Sequence, residues 1–177
     1  MKCFSNPSPD FGHATNGLYA SRRVFIQRAT LAFAVSILGS QAKASGYGLP
    51  KAQNLQSALQ KARAQSMPLV VMVTLDGCPY CKAVRQNYLP EYLEKGFPIL
   101  DLDLASSSPM QNEFGQSTTP REWARSKGIR LAPTLIWLGE GGQEVVSRLV
   151  GMSSSDFYGA YLDERMQQAH QQMKSVH

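Results

Sequence analysis

Leu69-Val70-Val71-Met72-Val73-Thr74-Leu75-Asp76-Gly77-Cys78-Pro79-Tyr80-Cys81 is the stretch from which the rest of the chain can be read. Its first seven residues form a nearly continuous apolar run, as expected of a central strand covered on both faces. The two cysteines follow directly and open a helical segment. A strand that delivers cysteines onto a helix start favours the thiolate of the first, through the helix dipole and the free N–H groups of the first turn. Two thiols three positions apart on one turn can also close into a disulfide with each other. The arrangement suits thiol–disulfide exchange.

The remaining cysteine, Cys3, lies in an N-terminal segment with the layout of a secretory leader. Ser21-Arg22-Arg23-Val24-Phe25-Ile26-Gln27 precedes an apolar stretch from Ala29 to Gly39, and Ala42-Lys43-Ala44 offers a small-x-small cleavage site. The paired arginines resemble the twin-arginine export signal of bacteria, with Gln27 where that pattern favours Lys. The apolar stretch is well short of the ~20 residues a spanning helix needs, so membrane attachment is expected only if the leader is not removed. Residues 1–44 are therefore expected to be a signal cleaved near Ala44, 45–50 a flexible lead-in, 51–168 one domain and 169–177 a polar tail. Cleavage would leave Cys78 and Cys81 as the whole cysteine content. A disulfide over two intervening residues constrains little chain, so a purely structural bridge is disfavoured.

The formal charge of +5 does not indicate nucleic-acid binding. Five basic residues (Lys2, Arg22, Arg23, Arg28, Lys43) and one acid (Asp10) sit in the leader, which leaves +1 for the remainder. No basic stripe with interleaved aromatics stands out.

Punctuation along the chain sets out the elements. Asn54 caps a helix to Gln65, with Leu55, Ala58, Leu59 and Ala62 on one face. After the cysteines a helical stretch runs to about Lys95, kinked or broken at Pro90. Phe97 to Leu104 reads as a strand, and Ala105 to Thr118 as an exposed loop or short irregular helix, an inert insertion more readily than a partner surface. Thr119-Pro120-Arg121-Glu122 carries a capping-box signature, with Glu122 reaching back, for a helix that stops at Gly128. Thr134 to Leu138 is a strand, Gly139 to Gly142 a turn and Gln143 to Val150 a returning strand. Ser153 to Asp156 cap a last helix, with Phe157, Tyr161 and Leu162 as its apolar face and fraying from about Gln167. This order implies an α/β domain: a mixed central sheet with helices on both faces.

Three features in this order resemble the thioredoxin superfamily over residues 51–168: strand–Cys78-x-x-Cys81–helix, Ala132-Pro133-Thr134 opening a strand after the third helix, and the closing hairpin and helix. The resemblance implies a thioredoxin-like fold and a thiol–disulfide oxidoreductase with Cys78 as nucleophile and Cys81 as resolving thiol. Pro79 and Tyr80 would tune the pair. A cis bond would join Ala132 to Pro133, and that segment would present its backbone to a substrate peptide. The expected partners are protein disulfides or dithiols and a membrane thiol electron donor, for a monomer in the periplasm that needs no organic cofactor. The reductase direction is favoured over disulfide formation.

Two positions depart from thioredoxins: Met72 stands where many carry a buried Asp, and Gly77 where Trp is usual. Asp76 beside the motif is a turn former or an electrostatic influence on the thiols, and Trp137 reads as core. Cys81 and Pro133 are 52 residues apart, longer than in minimal members, with the excess in 105–118.

Two other readings stay open. Two soft thiolates can hold copper(I), which would make the domain a copper chaperone, although Met67, Met72, Met110, Met152 and Met166 form no tight cluster. The Pro-Tyr dipeptide is that of glutathione-dependent glutaredoxins, but Leu131-Ala132-Pro133 replaces their Thr-Val-Pro. No metal is expected at a structural site: zinc needs four ligands, and the histidines are His13 in the leader and His170 and His177 near the end.

Overall fold

The computed structural model describes residues 48–152 and 155–175. The proposed leader and its cleavage site lie outside them. Helix α1 (Leu55–Ala64) starts where Asn54 Oδ1 accepts the Ser57 N–H at 2.8 Å. Strand β1 (Leu69–Thr74) follows, then helices α2 (Pro79–Asn87) and α3 (Pro90–Glu94), strand β2 (Ile99–Asp103), and the short strands β3 (Met110–Gln111) and β4 (Ser117–Thr118). Helix α4 (Pro120–Ser126), strands β5 (Thr134–Leu138) and β6 (Leu149–Val150) and helix α5 (Ser155–Ser175) complete the domain.

The main sheet has the order β2-β1-β5-β6, with β1 parallel to β2 and antiparallel to β5. β1 is buried along its whole length. Its period-two alternation divides the apolar run between two cores. Val70 and Met72 join Cys81, Val84, Leu135, Trp137 and α5 on one side. Leu69, Val71 and Val73 join α1, α4, Ile136 and Leu138 on the other. The N-terminal segment covers the outer edge of β2, where the Ala52 and Asp101 N–H groups bond the Asp101 and Pro50 carbonyls at 2.8 Å. No helix among the described residues is long and apolar enough to cross a membrane.

The interruption expected at Pro90 is a full break: α2 ends at Asn87, and Pro90 takes the first turn of α3, where its missing N–H costs nothing. Other expectations are corrected. Residues 105–118, expected as an exposed loop or a short irregular helix, are largely exposed, but they hold the β3–β4 hairpin, and Met110 and Glu113 within it are buried. Thr119 does cap α4, its Oγ1 accepting the Glu122 N–H at 3.2 Å, but the Glu122 carboxylate takes the Thr118 hydroxyl instead of closing a capping box.

The returning strand is shorter than predicted. Leu138 bridges Glu144 and Leu135 pairs with Leu149, so three steps along β5 face five along the return. The two extra residues bulge it. Arg148 fastens this bulge by pairing with Glu144 and donating to the Lys127 carbonyl at 2.9 Å.

Of the face expected for helix α5 only Leu162 is buried. It lies in a stripe with Tyr158, Met166, Ala169 and Met173, whereas Phe157 and Tyr161 are 63% and 54% exposed. The stripe continues past Gln167, so the segment expected to fray is helical to Ser175. Its predicted cap residues Ser153 and Ser154 lie outside the described residues.

Candidate active site

The end of β1 and the start of α2 bring Cys78 and Cys81 together. Cys78 is the N-cap residue of α2, in extended conformation, and Pro79 occupies the first turn. The two sulfurs form a disulfide with the Cα atoms 5.3 Å apart. Cys78 Sγ also accepts the Cys81 N–H at 3.1 Å. This is one of the free N–H groups of the first turn, and it would stabilise a thiolate on Cys78 after reduction. Cys81 is 2% exposed and packs in the core with Met72 and Val84. Cys78 is only half-buried, and Tyr80 between them is exposed.

Ala132-Pro133 faces this pair. The bond between them is cis. Cys78 Sγ lies 3.9 Å from the Ala132 carbonyl oxygen. Gly151 N–H donates to the Pro133 carbonyl at 2.7 Å and Thr134 Oγ1 to the Leu131 carbonyl at 2.8 Å, which fixes the segment across β5 and β6. Pro79, Tyr80, Ala132 and Pro133 therefore meet around Cys78 and Cys81, although 50 residues (82–131) lie between the two segments in sequence.

A cavity of about 530 Å³ opens beside the disulfide, lined by Lys51, Thr74, Asp76, Gly77, Cys78, Cys81, Lys82, Arg85 and Asp103 among others. Beneath it lies a residue the sequence reading missed. Asp101, on β2, is 3% exposed and stands in register with Met72. Its carboxylate accepts Thr74 Oγ1–H at 2.6 Å, Lys51 Nζ at 2.7 Å and Arg85 Nη2 at 3.2 Å. The available signal was a carboxylate inside a strand, where Asp is disfavoured. Asp101 alternates with Leu100, Leu102 and Leu104, a pattern that a strand with one solvated face would share.

Trp137 is fully buried, as read, with its Nε1 on Met166 Sδ at 3.2 Å. Asp76 is exposed and accepts the Gly77 N–H at 3.0 Å. Among the described residues no group of three or more His, Cys, Asp or Glu side chains is placed to hold a metal ion.

A cysteine pair at disulfide distance, at the start of a helix after the central strand and facing a cis-proline, defines a thiol–disulfide oxidoreductase of thioredoxin-like fold. The profile of the thioredoxin-like domain family matches residues 55–165, and the chain belongs to that family. Among solved structures it is similar to thioredoxin O2 from Arabidopsis thaliana in the oxidised state, with 21% identity over 67% of this chain and 93% of that one (TM-score 0.45). It is also similar to the reduced periplasmic thioredoxin SoxS from Paracoccus pantotrophus, with 20% identity over 58% of this chain and 98% of that one (TM-score 0.39). A DsbH oxidoreductase shares 12% identity over 68% of this chain and 86% of its own (TM-score 0.48). No curated protein matches the sequence.

Proposed function

We propose that this protein is a periplasmic thiol–disulfide oxidoreductase that reduces protein disulfides, with Cys78 as nucleophile and Cys81 as resolving thiol. The observation that carries the reading is the asymmetry of the pair: Cys78 is partly exposed and receives a helix N–H on its sulfur, while Cys81 is buried behind it. The Cys78 thiolate attacks one sulfur of a substrate disulfide. A mixed disulfide forms and the other substrate sulfur leaves as a thiolate, which takes a proton. Cys81, deprotonated, attacks Cys78 Sγ, re-forms the internal disulfide and releases the second substrate thiol. Two electrons and two protons pass from the pair to the substrate.

The substrate peptide lies against Ala132-Pro133, whose backbone pairs with it as an added strand. Pro79 and Tyr80 set the environment of the attacking sulfur. The protein acts as a monomer without organic cofactor, and a dithiol carrier in the membrane returns it to the reduced state. The Arg22-Arg23 leader with its cleavage site near Ala44 supports export by the twin-arginine route. Replacing both arginines with lysine should leave the protein in the cytoplasm on fractionation.

The direction is tested by equilibrating the Cys78–Cys81 pair in glutathione or dithiothreitol buffers. A reduction potential near about −270 mV supports the reductase; one near about −120 mV reverses the assignment to disulfide formation.

A further inference from the structure

The charges around the disulfide are arranged so that one buried carboxylate restrains two cations. Asp101 receives Lys51 from the N-terminal segment, Thr74 from β1 and Arg85 from α2. All three partners line the cavity that also contains Cys78 and Cys81. Arg85 follows Cys81 by about one turn on the same helix. Its Nε is buried and has no hydrogen-bond partner among the described residues, so the guanidinium keeps an unused donor. The other charged groups of the cavity are Lys82, Asp76 and Asp103. Asp76 and Asp103 are turned to their own loops, accepting the Gly77 and Ala105 N–H groups. With Asp101 included, three cations meet three carboxylates, and the site is neutral while the disulfide is closed.

We propose that Asp101 is a positioning residue of the redox centre: it holds Lys51 and Arg85 at the cavity wall, counterbalances their charge, and so keeps the site from favouring the reduced cysteine pair. Reduction (protein disulfide plus two glutathione thiols giving protein dithiol plus glutathione disulfide) puts a thiolate on Cys78. Cations near that thiolate favour the reduced form and a carboxylate near it disfavours it. Asp101 is buried, so its charge acts more strongly than it would in water, whereas Lys51 is largely exposed and Arg85 partly so. Met72 leaves no carboxylate on β1 itself, and Asp101 is the buried carboxylate described on this side of the sheet. The inference deepens the oxidoreductase reading and rests on it.

The variants have opposite expected signs. Asp101→Asn keeps a hydrogen-bond acceptor for Thr74 but frees both cations, and should shift the glutathione equilibrium about three- to tenfold toward the reduced pair; tenfold corresponds to about 30 mV. Arg85→Gln should shift it about threefold or more toward the disulfide, whereas Arg85→Lys, which keeps the charge, should stay within about twofold of wild type. The rate of iodoacetamide alkylation of reduced Cys78 against pH should move in parallel, its midpoint falling in Asp101→Asn and rising in Arg85→Gln. Shifts of the same sign in Asp101→Asn and Arg85→Gln, or Arg85→Gln within twofold of wild type, overturn the proposal. Should Asp101→Asn not fold, the contrast between Arg85→Gln and Arg85→Lys decides alone. A wild-type pair that does not equilibrate reversibly with glutathione sinks the oxidoreductase reading itself, an outcome separate from unshifted variants.

Discussion

Glu113 and Asp101 are buried carboxylates on opposite faces of one sheet, and their surroundings differ in one respect. Glu113, in the β3–β4 hairpin, accepts Trp123 Nε1–H at 2.6 Å and pairs with Lys127 at 2.5 Å. These partners belong to α4 and its C-cap, and the cluster faces the core of α1, α4 and β1. Burial pushes the Glu113 carboxyl up, but the hydrogen bonds from Lys127, the backbone and Trp123 outweigh it and hold it below its ordinary range. Asp101 is likewise paired with cations, yet its partners come from three elements and all face the cysteine cavity. A buried charge is costly unless paired, and both faces meet that requirement in the same way. What separates them is whether the paired cations face packed side chains or sulfur. The first arrangement fastens the 105–118 segment to the domain; the second adjoins the chemistry.

Breaking the chemical face alone has the largest effect. Cys78→Ser should lower disulfide exchange by about three orders of magnitude or more, while urea unfolding of the reduced proteins stays within about 1 kcal/mol of wild type. Appreciable remaining activity would place the nucleophile elsewhere. Breaking the structural face reverses the pattern. Glu113→Ala leaves Lys127 and Trp123 without their acceptor and should cost about 3 kcal/mol of stability, with the reduction potential unchanged.

The pH dependence follows from the sign of the Glu113 shift. Its folded value lies below the unfolded one, so its contribution is complete above the unfolded carboxyl value and disappears as pH falls through the folded one. The stability gap between wild type and Glu113→Gln should therefore narrow as pH is lowered below about 4, and a gap that widens there contradicts the assignment. The smallest contrast lies along α5. Met173→Ala should cost about 2 kcal/mol, because Met173 is buried, while Phe157→Ala at an exposed site should stay within about 0.5 kcal/mol. Equal effects would mean that the helix presents its other face.

Legibility in the sequence followed the range of the interactions. The sheet, the break at Pro90 and the Asn54 and Thr119 caps were readable because each is written in neighbouring residues. Cys78, Cys81 and the Ala132-Pro133 segment were readable because their spacing and order carry a family pattern. Helix α5 was misread because Phe157 and Tyr161 form a short apolar pair at helical spacing that competes with the longer Tyr158–Leu162–Met166–Ala169–Met173 stripe. Tertiary packing selects the longer stripe. Asp101 and Glu113 were not readable because a carboxylate in an alternating segment looks solvated until its partners are known. Lys51 lies 50 residues from Asp101 and Lys127 lies 14 residues beyond Glu113, so neither pairing is local.

The division of labour between the two cysteines is tested most directly by trapping. Reduced Cys81→Ser, mixed with a disulfide-containing protein substrate, should accumulate a covalent complex through Cys78 that dithiothreitol dissolves, because the resolving thiol is missing. Cys78→Ser under the same conditions should form none. A complex that forms equally well through Cys81 in Cys78→Ser, or no complex with either variant while wild type still reduces the substrate, would contradict the assignment of the partly exposed cysteine as nucleophile and the buried one as resolver.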